Sequence, residues 1–260
     1  MAQPKIGLSM LYCLGEPFNR MVQQLAKMKM VNIELVDEGL HELNKQRVFS
    51  LNDLGNSYDL KYSVHAPFAD INIASPSKPM LRVILRRLQK SIVHASALNA
   101  HVWVFHPGTK TGISMFYPDM EWLQNCRSAR LLFKIAEDYG VKIAIENMPE
   151  PYPFVMRSVE EFKKFFEEVN EPIGFALDVG HANLNGQTEY FLRTFTNKIT
   201  HVHVSDNVGR NDLHLGIGYG NVDWQRFAKN MKEISYDQIV IVESVEHVKE
   251  SLQKLKQLLT

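Results

Sequence analysis

Eight short apolar runs, spaced along the chain with amphipathic stretches between them, constrain the fold more than any other feature. They are KIGLSML (5–11), NIELV (32–36), YSVH (62–65), HVWVFH (101–106), KIAIE (142–146), IGFALD (173–178), ITHVHVS (199–205) and QIVIVE (238–243). Most are nearly continuously apolar, the pattern of strands covered on both faces. The stretches between them read as helices. "HVKESLQKLKQLLT" sets Val248, Leu252, Leu255 and Leu259 on one face, and "MLRVILRRLQKSIVHASALNA" does the same with Leu81, Ile84, Leu88 and Ile92. Ser158 with Glu161 three residues on forms a capping-box pattern, and Gly140 sits where a helix must stop before the fifth run. Eight strand–helix units in 260 residues predict an α/β fold, a (β/α)8 TIM barrel, as a single domain over 1–260. The competing open doubly wound sheet usually carries a Gly-rich phosphate loop after its first strand, and "LYCLGEP" is not one.

Charge narrows the partners. Lys plus Arg and Asp plus Glu balance at 29 each, so nothing global draws the chain to nucleic acid or an anionic membrane. Cys13 and Cys126 form no metal or redox motif and read as buried thiols in a reducing setting. There is no signal-peptide pattern and no apolar run of the ~18 residues a membrane span needs, so a cytoplasmic location is expected.

In such a barrel, chemistry gathers at the carboxyl ends of the strands. There the chain places His65 ("SVHAP"), His106 ("VFHPG"), Glu146 ("IAIEN"), Asp178 and His181 ("FALDVGH"), His203, Asp212 and His214 ("HVHVSDNVGRNDLHLGIGYG") and Glu243 ("IVIVES"). These are nine ligand-type side chains from six consecutive strands. Carboxylates and imidazoles crowded on one rim repel one another or stay unsatisfied without a cation, so a divalent metal is the expected compensation. Mixed His and Asp/Glu donors suit Zn, Mn, Fe or Co. His201 lies two residues before His203 and faces the same way but deeper, as a core histidine. Glu34, on the second strand, is expected to face the pocket, and Glu38 to be solvated. Asp206 is expected to support the neighbouring ligands, with Gly216, Gly218 and Gly220 shaping the turn after them.

With "HAPFADINIASP", "FHPG", "IEN", "LDVGHANLNG" and "HVHVSDN…DLHLGIGYGNVDW" in hand, the chain resembles the xylose-isomerase-like TIM-barrel superfamily along nearly its whole length. That group includes sugar isomerases and epimerases, inosose dehydratase-type enzymes and endonuclease IV. The isomerase branch implies one ion on Glu146, Asp178, His203 and Glu243. Glu146 and Glu243 then move a proton on and off a sugar carbon through a metal-bound enediolate, and His181 contacts a substrate oxygen. His65, His106, Glu34 and Arg210 are the expected substrate contacts, with Arg210 and Lys110 on rim loops that could meet a phosphate. The endonuclease IV branch implies up to three zinc ions, drawing in His65, His106, His181, Asp212 and His214 as further ligands, to hydrolyse abasic-site DNA.

The surroundings depart from the nuclease pattern. Val179-Gly180 stands where that branch has Thr-Cys, "MPEPYP" where it has an Ala-Gly-rich turn, Leu213 where it has Arg, and Phe68 where it commonly has Tyr. A phosphate-backbone binder also needs clustered Lys and Arg, which a neutral chain does not advertise. The expectation is therefore a metal-dependent isomerase/epimerase acting on a sugar or sugar phosphate. The alternative is an abasic-site endonuclease, with nucleic acid as partner only in that case. No membrane partner is expected, and a homo-oligomer is left open.

Overall fold

The computed structural model describes residues 3–259. The strands are β1 (Lys5–Ser9), β2 (Asn32–Val36), β3 (Lys61–His65), β4 (Trp103–Phe105), β5 (Ile143–Glu146), β6 (Gly174–Asp178), β7 (Ile199–Val204) and β8 (Ile239–Val242). Each pairs in parallel with the next, and β8 returns to β1, closing an eight-stranded barrel. The helices are α1 (Phe18–Leu25), α2 (Lys45–Tyr58), α3 (Lys78–Ala97), α4 (Met120–Asp138), α5 (Val159–Val169), α6 (Val179–Leu184), α7 (Thr188–Thr194), α8 (Trp224–Glu233) and α9 (Val248–Leu259). No helix among the described residues is long and apolar enough to cross a membrane.

Every expected strand is present, most of them shorter than its apolar run. The run 5–11 loses its end to a 3-10 turn at Met10–Cys13, where Ser9 Oγ accepts the Leu11 N–H. The run 101–106 keeps only Trp103–Phe105 as strand, so His106 stands on the rim just beyond it. The Ser158–Glu161 capping box forms at the start of α5. Gly140, at φ +67°, ends the turn after α4 in the left-handed region that glycine enters without strain.

Two packing layers follow from strand alternation. Outward residues meet the helices, as where Phe175 packs against Phe162, Phe191 and Phe195. Inward, Val102, Val104, Ala144 and Ala176 form a separate small cluster. Continuing that inward parity up β5, β6 and β7 reaches Glu146, Asp178 and His203. The alternation that fills the barrel thus also aims its catalytic-type residues.

The loops after β3 and β4 interlock beside the rim, where Asn72 and Thr109 line the cavity. A Cβ on Gly108 would lie 2.3 Å from Ala74 Cβ and 2.4 Å from Ala74 N, which is backbone and cannot step aside. Gly108→Ala should therefore destabilise the fold by about 1–3 kcal/mol, the usual cost of overpacking. Thermal unfolding followed by circular dichroism checks this; an unchanged midpoint would show that the two loops can separate.

Candidate metal and substrate site

Glu146 is the centre of the rim. Its Oε1 lies 3.2 Å from His203 Nδ1 and 3.6 Å from His181 Nδ1. Its Oε2 lies 3.3 Å from both His65 Nε2 and His106 Nε2. Glu243, directly after β8, comes within 3.4 Å of His203 Nδ1 through Oε2. Asp178 ends β6 and also caps α6, where its Oδ1 accepts the His181 N–H at 2.6 Å. That cap is why the short "DVGH" spacing brings His181 back to the same rim. Asp212, on the long loop after β7, meets His181 Nε2 at 3.1 Å and His214 Nε2 at 3.2 Å through one oxygen, Oδ2.

The nine side chains thus fall into three contiguous donor sets. His65, His106 and Glu146 form one, Glu146, Asp178, His203 and Glu243 a second, and His181, Asp212 and His214 a third; within each set the ligand atoms lie within 4.8 Å of one another. Glu146 belongs to the first two.

These residues fit a divalent metal on three grounds. First, Asp178 Oδ2 and Asp212 Oδ1 are buried without a hydrogen-bond partner, a costly state that a cation relieves. Second, several rings have one nitrogen committed to a fixed acceptor. His65 Nδ1 donates to Ala66 O at 2.9 Å, His214 Nδ1 to Glu243 O at 3.2 Å and His181 Nδ1 to Asn147 O at 2.8 Å. The free nitrogen of each then faces a carboxylate, the arrangement that orients metal-binding histidines. Third, carboxylates and imidazoles are the donors of Zn, Mn, Fe and Co sites.

Without a cation, protons supply the positive charge. Burial would lower His65 and His214, yet hydrogen bonds to Glu146 and Asp212, respectively, lift each to about 9. His203 and His181 are also raised, burial being outweighed by Glu243 and Asp178, respectively, and by the carboxylates around them. Glu146 is held well below the carboxylate range, since the adjacent His203 outweighs burial. Burial, with Glu34 and Glu146 nearby, pushes Glu243 up to about 7. A metal must displace the imidazolium protons. Raising the pH from 6 toward 9 should therefore tighten binding by roughly tenfold per unit for each proton displaced. Titration calorimetry in buffers of different ionisation enthalpy reads the protons released; a pH-independent affinity would mean these rings are not ligands.

A cavity of about 780 Å³ opens above the cluster, with His65, His106, Glu146, His181, Asp212, His214 and Glu243 on its lining. Its walls include Leu11, Val36, Phe68, Ile71, Met148, Tyr152, Phe154 and Val245. No Lys or Arg among the described residues lines it.

Some expected contacts lie elsewhere. Glu34 does not face the pocket: it is fully buried beneath the rim, bonded to His201 and His203. Arg210 and Lys110 are exposed and outside the cavity lining, although Thr109 and Asp212 on the same loops line it. Glu38 is not simply solvated, since its Oε2 accepts the Phe68 and Ala69 N–H groups at 2.9 and 3.0 Å and fixes the loop that presents Phe68. Asp206 makes no hydrogen bond to a member of the donor sets, its oxygens being taken by the Asn207, Gly218 and Val222 N–H groups and the Trp224 indole. His201 is a buried core histidine, as its depth implied. Tyr152 and Phe154 were the residues sequence reading missed; an antiparallel bridge between Thr109 and Phe154 folds that loop over the pocket.

Fold and site together define a (β/α)8 barrel whose carboxyl-end rim bears a histidine–carboxylate cluster at the floor of an apolar-walled pocket. The chain belongs to the xylose isomerase-like TIM barrel family, whose model matches residues 22–258. An uncharacterized protein of Methanocaldococcus jannaschii is 32% identical over 92% of this chain and 83% of its own. A crystal structure of a D-tagatose 3-epimerase-like protein superposes with a TM-score of 0.92 at 31% identity, covering 98% of this chain and 97% of the other. A probable endonuclease 4 of Lysinibacillus sphaericus is 29% identical over 61% of this chain and 57% of its own.

Proposed function

We propose that this chain is a divalent-metal-dependent sugar epimerase or isomerase. The observation that carries the reading is the pair Glu146 and Glu243, both lining one pocket and both beside His203. Their environments are set apart, one acidic and one near neutrality, which is how a site divides acid and base roles. The similarity to a D-tagatose 3-epimerase-like protein over nearly the whole chain supports the same class.

Glu146, Asp178, His203 and Glu243 would hold the ion, which supplies Lewis-acid charge for the substrate oxygens beside the reacting carbon. Glu146, held ionised, takes the proton from the carbon next to the carbonyl. Glu243, which carries a proton near neutrality, returns one to the opposite face, and the configuration inverts. With Glu243 near 7 in the metal-free chain, little tuning is needed for a carboxylate to act near neutral pH. His181 and His106 hold substrate hydroxyls. Phe68, Phe154 and Tyr152 cover the open-chain sugar and exclude water. The pocket's lack of Lys and Arg favours an unphosphorylated sugar over a sugar phosphate.

The test is exchange of a substrate C–H proton with deuterated water, read by NMR, across a panel of ketohexoses and their phosphates after loading with Mn2+ or Co2+. Exchange on the free sugars supports the reading; no exchange on any member with metal bound overturns it. One observation favours a second reading, an abasic-site endonuclease: all nine donors assemble, including Asp212 with His181 and His214, more than a mononuclear site needs. Elemental analysis discriminates. Two or three zinc ions per chain, with nicking of abasic-site DNA, would replace the epimerase reading.

A further inference from the structure

Below the rim, the barrel holds a polar column that its packing does not require. Glu34 on β2 is fully buried, as are His201 and His203 on β7. Glu34 Oε2 lies 2.8 Å from His201 Nε2 and 3.2 Å from His203 Nε2 and accepts the Ser63 hydroxyl at 3.2 Å, while Oε1, 3.0 Å from His203 Nε2, is buried without a hydrogen bond of its own. His203 Nδ1 points the other way, to Glu146 Oε1 and Glu243 Oε2. The His201 and His203 rings stand nearly perpendicular, 86° apart with centroids at 5.0 Å. TIM-barrel interiors are usually filled by branched aliphatic residues. A buried carboxylate with imidazoles is a weak source of stability, and well-packed apolar residues often do as well or better. A column like this calls for a role other than holding the barrel closed.

We propose that Glu34 is the positioning residue of the metal site. It takes the Nε2–H of His203 from below, fixing the ring so that Nδ1 alone is presented to the ion. His201 in turn holds Glu34, donating from Nε2, while its own Nδ1 has no partner. The three residues act as a relay that starts from strand β2, which contributes no donor to the three rim sets. A carboxylate behind a metal-binding imidazole fixes its tautomer and raises its basicity. The inference rests on the assignment of His203 as a ligand, and it holds whether the ion serves a sugar or a phosphodiester.

The experiment measures Co2+ and Zn2+ binding to the full chain, stripped of metal, by competition with a chromophoric chelator. Glu34→Gln should weaken both ions by about 10- to 100-fold in the folded fraction and shift the d–d bands of bound Co2+. Glu34→Met with His201→Leu removes the column altogether. Its metal-free stability should be equal or higher while the affinity loss persists. A purely structural role predicts the reverse, lower stability and wild-type affinity in the folded fraction, and that result overturns the proposal. In the zinc-loaded wild type, 15N shifts should place the metal on Nδ1 and the hydrogen on Nε2 of His203; metal on Nε2 also overturns it. A wild-type chain that binds neither ion sinks this inference and the metal reading together. One that binds Co2+ yet exchanges no sugar proton sinks only the epimerase reading.

Discussion

Replacing Glu146 by glutamine is expected to lower turnover by about a thousandfold or more while the barrel stays folded. The size follows from what the carboxylate does twice. It is a proton-transfer group, a role that alone contributes typically 10²–10⁴-fold. It is also shared between donor sets, with His203 and His181 near one oxygen and His65 and His106 near the other. Gln keeps the volume but has one acceptor and one donor, so its amide must face at least one imidazole donor-to-donor. The substitution therefore removes both the base and the charge that binds the ion. The checks are kcat for C–H exchange, metal content by elemental analysis, and the far-ultraviolet circular dichroism of the variant. Full metal occupancy with lost exchange would mark Glu146 as acid–base only. Lost metal with lost exchange would make its ligand role dominant. Wild-type exchange would remove Glu146 from the mechanism. Glu243→Gln should lose exchange as well but retain more metal, since among the described residues one imidazole, that of His203, lies within 4 Å of its carboxylate, whereas Glu146 has four.

Much of this was legible in the chain because two periodicities carry it. The eight apolar runs announce β1 to β8, and the last residue of several runs is by construction a rim residue: His65, Glu146 and Asp178 all end their strands. Depth was harder. Alternation tells that Glu34 faces inward but not at which layer, and the register sets it opposite Ser9 and Ser63, below the rim. The loops were least legible. Nothing local in "NMPEPYPF" says that Phe154 returns to pair with Thr109, because that contact depends on how far the loop after β4 travels. Arg210 shows the converse error. A basic residue near a catalytic loop invites a phosphate-binding role, yet its side chain is exposed and away from the cavity lining. The Asp178 cap on α6 lies between these cases, since an Asp three residues before His181 is a legible N-cap pattern once the strand end is fixed.

Asp206→Ala is expected to be the most destabilising single change in the loop that carries Asp212 and His214. Asp206 is fully buried. Its Oδ2 accepts the Gly218 N–H at 2.7 Å and the Trp224 indole N–H at 2.8 Å, and its Oδ1 accepts the Asn207 N–H at 2.9 Å and the Val222 N–H at 3.1 Å. Its backbone pairs with Leu215 across the loop, so both ends of the segment 206–222 meet at one carboxylate. Truncation to Ala leaves four donors without their acceptor at a site closed to water. Each unsatisfied buried group costs about 1–3 kcal/mol, and partial relaxation brings the expected total to about 3–5 kcal/mol, the range seen when one member of a buried charged arrangement is removed. The neighbouring Gly220 leaves little room for that relaxation, because a Cβ there would lie 2.1 Å from Asn207 O. Denaturant unfolding monitored by Trp fluorescence measures the loss, and Trp224 reports on this very contact. Asp206→Asn retains one acceptor oxygen and should recover about half of it. Because His214 and Asp212 ride on the same loop, any metal they hold should be released from the Ala variant first, ahead of one held by Glu146, Asp178, His203 and Glu243. A variant as stable as the wild type, with its metal complement intact, would show that the loop is held by Leu215 and Trp224 packing instead of by the buried carboxylate.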